Sequence, residues 1–330
     1  MKTKVGIVGA GARHAAHAGA AAQTGLAEVK WICDIAADRA EAAAAKCDAR
    51  ATADYGDILD DPETACVVIV TNVETHAEIA SAALARGKHV LVEKPLADSV
   101  ATARRLVQQW SDSGLVGMVS FQSRFNRVFA GIHDICERVD PLQVLMSRQR
   151  GMMKPQFLSP GPFSGLMDTL AHDFDLAAWF MGRRPAAVTA SVRRDSFTAD
   201  TGAIDLLSAL VEFEDGRSAS MVGSLGGGSL GWTCYVVGAA GNVAKDSGNR
   251  LRACEFERFG PASDAKEVEL PDVEFANPDS ALHARFYRAV QAEDPAVQPD
   301  LTDGLNSMLL TLGCVQSAEE GRRVSLDELT

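Results

Sequence analysis

The sequence predicts an α/β protein: an N-terminal doubly wound parallel sheet, then an α+β domain with a largely antiparallel open sheet. Three observations carry that prediction. The first third alternates short β-branched runs with alanine-rich helical stretches. After about Gln122 strand candidates follow one another without helices between them. The chain has 330 residues, 47% of them hydrophobic, which is too long for one small core and ordinary for a folded protein.

In the first part, residues 5–8, 29–33, 66–70, 89–92 and 116–121 read as strands. Residues 12–23, 38–46, 74–86 and 100–110 read as helices between them. Gly25, Gly87 and Gly114 follow three of these helices, where a left-handed stop is expected. Near-continuous apolar strands with helical crossovers predict a parallel sheet covered on both faces. This domain is expected to span residues 1–121 and the second residues 122–330. There, a Gly-, Pro- and Ser-rich loop (151–165) precedes a helix at 167–181. Strands are then expected at 187–194, 205–213, 218–224, 232–237 and 252–258. A last helix, 304–320, carries Leu305, Met308, Leu309, Leu312 and Val315 on one stripe and can pack on either domain.

Lys plus Arg total 32 against 44 Asp plus Glu, a net charge of −12. That excludes a nucleic-acid or anionic-membrane surface, both of which need a basic footprint. A small anion needs only a local electropositive site and is not excluded. Seven cysteines without a C-x-x-C pair read as reduced thiols. No apolar run is long enough to span a bilayer, and the first residues enter a strand without a signal-like apolar segment. A cytoplasmic protein is expected.

The first strand ends in Gly9-Ala10-Gly11-Ala12-Arg13-His14, ahead of a helix. Two glycines there permit a tight turn and a close backbone approach to a pyrophosphate at the helix N-terminus. His14 replaces the third glycine of the dinucleotide fingerprint. Asp34 ends the second strand 23 residues past Gly11, where a carboxylate accepts bonds from ribose hydroxyls and repels a 2′-phosphate. Dinucleotide binding in a Rossmann domain is therefore expected, with NAD favoured over NADP. Arg39 argues the other way, because an arginine nearby accommodates the extra phosphate. Two further strand ends point to the same crevice: Thr71 and Asn72, with His76 on the next helix, and Glu93-Lys94-Pro95. Alone, the latter reads sooner as a surface lysine in a turn.

At these residues the chain resembles the glucose–fructose oxidoreductase / inositol dehydrogenase / MocA-like family. The resemblance runs through Thr71-Asn72-Val73-Glu74-Thr75-His76 and Gly87-Lys88-His89-Val90-Leu91-Val92-Glu93-Lys94-Pro95-Leu96-Ala97, with Asn72 where proline is usual. It continues at Asp168-Thr169-Leu170-Ala171-His172-Asp173-Phe174-Asp175, which is similar to the D-x-x-x-H-x-x-D signature of the inositol dehydrogenase branch, and at Gly241-Asn242. Arg124, in Ser123-Arg124-Phe125-Asn126, resembles an arginine that lies near the substrate in that branch; a hinge salt bridge is the equal alternative.

Read by itself, the Asp168–His172–Asp175 spacing puts three side chains on one helix face. Asp168 can then hold the imidazole and raise its basicity, and a histidine near its ordinary pKa of about 6.5 suits proton transfer at neutral pH. The same spacing also fits a satisfied core histidine on an acidic helix start, or a zinc site. The resemblance implies metal-free chemistry, with Lys94, Asp168 and His172 catalytic. It places NAD on Gly9 to His14, Asp34, Thr71, Asn72, His76, Glu93 and Lys94. It places substrate on Lys94, Arg124, Asp168, His172 and Asp175. The expected activity is oxidation of a secondary hydroxyl of a cyclitol or sugar, with a keto-sugar or amino-cyclitol reductase, or a non-catalytic NAD-binding regulator, as alternatives. An open sheet face implies a homodimer or homotetramer. His17, His133 and His283 receive no role.

Overall fold

A computed structural model describes every residue except 1, 199, 227, 229, 230 and 256–263. The backbone divides into two units, residues 1–125 with 274–305 and residues 126–273 with 306–330. The expected single division after residue 121 therefore becomes an exchange: a late segment returns to the first unit.

The first unit contains β1 (Thr3–Val8), α1 (His14–Thr24), β2 (Ala27–Cys33), α2 (Ala37–Ala44), β3 (Arg50–Thr52), α3 (Gly56–Asp60), β4 (Cys66–Ile69), α4 (Val73–Ala85), β5 (His89–Val92), α5 (Val100–Ser113) and β6 (Gly117–Val119). The strands pair in the order β3-β2-β1-β4-β5-β6, all parallel. Every residue of β4 is buried, as a strand covered on both faces requires. Gly25, Gly87 and Gly114 sit at φ of 67°, 71° and 68°, ending their helices as expected. The sequence reading did not include β3 and α3; three and five residues are too short to show a period.

The second unit contains α6 (Arg127–Val139), β7 (Pro141–Gln149), α7 (Leu166–Met181), β8 (Pro185–Arg194), β9 (Ile204–Phe213), β10 (Ser218–Ser224), β11 (Gly231–Gly238), β12 (Gly241–Lys245), β13 (Leu251–Glu255) and β14 (Lys266–Glu267). Later in the chain come α8 (Pro278–Ala292), α9 (Leu301–Glu320) and β15 (Val324–Ser325). The nine-stranded sheet runs β14-β13-β12-β11-β7-β10-β9-β8-β15 and is antiparallel except where β10 meets β7. The strand expected at 252–258 begins at Leu251, and its residues 256–258 lie outside the described residues.

The faces of this sheet differ. Val144, Met146, Ala219, Met221, Cys234 and Val236 are buried. On the alternate positions Tyr235, Leu145, Ser220 and Leu210 stand in register across four strands, and the three apolar ones are each about two-fifths exposed. An open depression of ≈ 920 Å³ runs over this face.

Helix α8 was not read from the sequence, although its signals are present. Asn277 caps it by accepting from the Asp279 N–H at 3.0 Å, and Pro278 opens it. Leu282, Phe286, Ala289 and Val290 then recur at helical spacing. They are buried in one core with Val5, Ile7, Ala18 and Ala21, which is why this segment belongs to the first unit. The last helix is also divided: residues 301–305 fall in the first unit and the remainder in the second. Gly304 sits where a Cβ would meet Val119 at 2.8 Å, and in the other unit Ser307 donates to the Ala171 carbonyl at 2.9 Å.

Truncating wholly buried Phe286 to Ala is expected to cost about 3–5 kcal/mol. A lowered urea midpoint for the first unit would show it; an unchanged midpoint would mean α8 is dispensable to that core.

Candidate active site

Strand β1 leads directly into Gly9, whose φ is +106°. A Cβ added there would lie 2.6 Å from the Val70 carbonyl oxygen, so glycine is required for space as well as for conformation. At Gly11 an added Cβ would meet nothing within 4 Å. That side of the turn is open to a diphosphate, and no side chain caps the start of α1. The residues present fit a dinucleotide.

Asp34 closes the turn from β2. One carboxylate oxygen accepts the Ala10 N–H at 2.8 Å; the other accepts the Ala36 N–H at 2.9 Å and Arg39 Nη2 at 2.8 Å. Burial alone would raise its pKa, but these bonds and the Arg39 charge outweigh it and hold the carboxyl below its ordinary range. His14 occupies the third-glycine position with Nδ1 3.2 Å from the Gly9 carbonyl, and burial lowers its pKa. It therefore sits neutral and donates back to the turn. Ile35, next to Asp34, is 90% exposed, an apolar surface the sequence reading did not single out.

The loop after β4 is tied to the loop after β5. His76 places Nε2 3.0 Å from the Thr71 carbonyl and Nδ1 2.8 Å from the Pro95 carbonyl. Asn72 stands at φ −75° and ψ 152°, the backbone that a proline would fix, so its substitution for proline leaves the path of the loop unchanged.

Glu93 is buried at the end of β5. Its Oε1 accepts from His17 Nε2 at 2.8 Å and from Arg13 Nε at 3.0 Å, and its Oε2 accepts the Lys94 N–H at 3.1 Å. Burial raises its pKa, yet the His17 bond and the Arg13 and Lys94 charges hold it well below the usual carboxylate range. Arg13 also reaches Asp279 on α8 at 2.9 Å. Lys94 is half-buried between this anchored glutamate and Pro95, across a cis bond. Arg124 is buried and paired with Asp303 at 2.9 Å.

In the second unit α7 presents Asp168, His172 and Asp175 at one-turn intervals, with His172 and Asp175 buried and Asp168 half-buried. Asp173, turned to another side, is buried 3.8 Å from Arg148, whose guanidinium lies 3.5 Å over the Trp232 ring. Burial pushes the Asp173 carboxyl up to about 7 against the pull of Arg148. Arg150 donates to Thr169 on the same helix. The ligand atoms that converge closely enough to share a metal, among the described residues, are those of His133, Asp134 and Glu137 on α6, not those of the α7 trio.

The structure thus gathers Gly9 to His14, Asp34, Thr71, Asn72, His76, Glu93, Lys94 and Arg124 in the first unit, and Asp168, His172 and Asp175 in the second. Sequence reasoning passed over His17, His283, Tyr287, Arg148 and Asp173. The available signals were weak: His14 and His17 one turn apart, and His283 and Tyr287 at i, i+4.

A parallel sheet in the order 3-2-1-4-5-6, an open glycine turn after β1 and an ionised carboxylate after β2 define a dinucleotide-binding protein of the Rossmann class. Residues 3–121 match the model of an oxidoreductase family with an NAD-binding Rossmann fold, and residues 160–326 match the C-terminal alpha/beta domain of that family. The chain belongs to the Gfo/Idh/MocA oxidoreductase family. An inositol 2-dehydrogenase of Salmonella paratyphi B is 30% identical over 208 residues, 61% of each chain; the match thus spans about three-fifths of that relative. A myo-inositol 2-dehydrogenase of Thermotoga maritima is 26% identical over 340 residues, 99% of each. A levoglucosan dehydrogenase structure in complex with NADH shares the fold, with a TM-score of 0.84, 21% identity and 99% coverage of both chains.

Two outcomes follow from this geometry. Gly9→Ala forces a Cβ into the Val70 carbonyl, and titration with NAD should show binding lost or weakened at least about tenfold, equivalent to about 1.4 kcal/mol. Unaltered affinity would mean the turn is not where the dinucleotide lies. For Asp173, the folded pKa of about 7 exceeds an unfolded value of about 3.9. Its contribution to stability is therefore present below about pH 4 and lost as pH rises towards 7. Asp173→Asn should gain thermal stability relative to the parent between pH 5 and pH 8; a relative loss would refute the assignment.

Proposed function

We propose that this protein is an NAD-dependent dehydrogenase acting on a secondary hydroxyl of a cyclitol or sugar. The observation that carries the reading is the pair of motifs on rigid elements: Glu93-Lys94-Pro95 at the end of β5, and Asp168 one turn before His172 on α7. The full-length similarity to an enzyme named myo-inositol 2-dehydrogenase supports it.

A nicotinamide dinucleotide, when bound, supplies two-electron redox chemistry at a carbon bearing a hydroxyl. The residues Gly9, Ala10, Gly11, Ala12, Arg13 and His14 would cradle its diphosphate. Asp34 would take the ribose hydroxyls beside the apolar surface of Ile35, and its negative charge favours NAD over NADP. Thr71, Asn72, His76 and Glu93 would shape the remainder of the cofactor crevice. His172 takes the hydroxyl proton on oxidation and returns it on reduction, with Asp168 orienting the imidazole. Lys94 donates to the reacting oxygen and stabilises developing alkoxide charge. Arg124 and Asp175 would complete the substrate contacts.

The exposed row of Tyr235, Leu145 and Leu210 supports a second copy of this chain as the cover of the open sheet face, giving a homodimer or homotetramer. Seven free thiols, five of them buried, suit a cytoplasmic setting.

The test is a panel of polyols, cyclitols and keto-sugars with NAD or NADH, followed by nicotinamide absorbance. His172→Ala is expected to lower kcat by about 10²–10⁴-fold. Lys94→Ala should lower kcat as well, and NAD affinity should be retained in His172→Ala. Tight NAD binding without turnover of any member would instead favour a regulator of the same fold.

A further inference from the structure

His17, His283 and Tyr287 lie outside every role given above, yet all three are fully buried and hydrogen-bonded in one line. Tyr287 Oη is 2.9 Å from His283 Nδ1, His283 Nε2 is 2.9 Å from His17 Nδ1, and His17 Nε2 is 2.8 Å from Glu93 Oε1. Such a line has to be satisfied with the protons available inside it.

Burial holds His283 well below its ordinary pKa, so it carries one ring proton. Burial holds the Tyr287 hydroxyl protonated. Glu93 is a carboxylate and only accepts. If Tyr287 donates to His283 Nδ1, the His283 proton is on Nε2 and goes to His17 Nδ1. The His17 proton is then on Nε2 and goes to Glu93. Each of the three bonds holds one proton, and no buried charge is added. The opposite polarity turns a bare His17 nitrogen onto the carboxylate unless His17 gains a second proton. That extra positive charge would lie beside Arg13, which already occupies the same oxygen at 3.0 Å.

We propose that His17, His283 and Tyr287 are positioning residues: a one-directional hydrogen-bond line, its polarity set by the acceptor-only Glu93 carboxylate, that fixes that carboxylate and through it the Lys94 backbone. The link to Lys94 is direct, because the second Glu93 oxygen accepts the Lys94 N–H. Without the His17 donor, Glu93 keeps Arg13 but loses the bond that fixes its rotamer from within the core. The lysine on the adjoining peptide is then less well placed, and a displacement of about 1 Å at a reacting group costs on the order of 10²-fold. The inference rests on the proposed catalytic role of Lys94.

The two amide side chains separate orientation from mere filling of space. Glutamine places its amide nitrogen where Nε2 lies and can still donate to Glu93. Asparagine reaches only the Nδ1 position and cannot. Both lose the ring. In the holoenzyme with NAD and myo-inositol, or another polyol that is turned over, H17N is expected to show a kcat at least about tenfold below H17Q. KM and NAD affinity should be similar in the two.

Independently of turnover, 15N NMR of histidine-labelled protein should show both rings protonated at Nε2 and bare at Nδ1. In Tyr287→Phe that tautomer should persist, because Glu93 still only accepts. Equal kcat for H17N and H17Q overturns the positioning role. A proton on Nδ1 of either ring in the parent, or on Nδ1 of His17 in Tyr287→Phe, overturns the polarity. If Lys94→Ala turns over like the parent, the catalytic reading of Lys94 fails instead, and the tautomer experiment still decides whether the line exists.

Discussion

A buried carboxylate must be given donors, and the first unit is organised around meeting that demand for Glu93. Its partners come from α1, through Arg13 and His17, and from its own chain at Lys94. A further layer comes from α8, where His283 meets His17 and Asp279 takes the other end of Arg13. Removing one donor from such a site leaves part of a buried carboxylate unsatisfied, at a cost of about 1–3 kcal/mol. The return of residues 274–305 to the first unit therefore joins two requirements. Phe286 and Leu282 supply apolar burial, and His283 and Tyr287 complete a polar network that α1 and β5 leave unfinished.

The opposite solution appears in the second unit. Asp173 has an arginine at 3.8 Å and burial pushes it up to about 7. One buried carboxylate is thus held charged by close, well-directed donors, and the other is driven towards neutrality because its cation lies just beyond hydrogen-bond reach. Neighbours on one helix can therefore carry different proton chemistry: Asp173 faces Arg148, while Asp168, His172 and Asp175 share another face of α7. The separation between them is a matter of helical phase, about 100° per residue.

Much of this was legible in the chain. The alternation of apolar strands and alanine-rich helices, the G-x-G turn, Asp34 and the E-K-P and D-x-x-x-H patterns all depend on neighbours within one or two turns, and local patterns of that kind survive in a linear reading. Elements too short to show a period, such as β3 and α3, did not. Helix α8 was missed although Asn277-Pro278 and Leu282, Phe286, Ala289 and Val290 form an ordinary helix signature. It stands between the last strand candidate and the final helix, in a segment that the sequence reading left unassigned. The histidine line was invisible for a stronger reason: 266 residues separate His17 from His283. No spacing rule connects two residues that far apart.

The sequence by itself determined the class of fold, the turn that must be glycine, the acidic residue after β2 and the residue types at the candidate catalytic positions, because each follows from local sterics or short-range periodicity. Only the tertiary structure decided which carboxylates are charged, which histidines serve them, and to which unit α8 belongs. Those are outcomes of desolvation and donor count. Both depend on what burial brings against a group, and burial exists only once distant segments have packed.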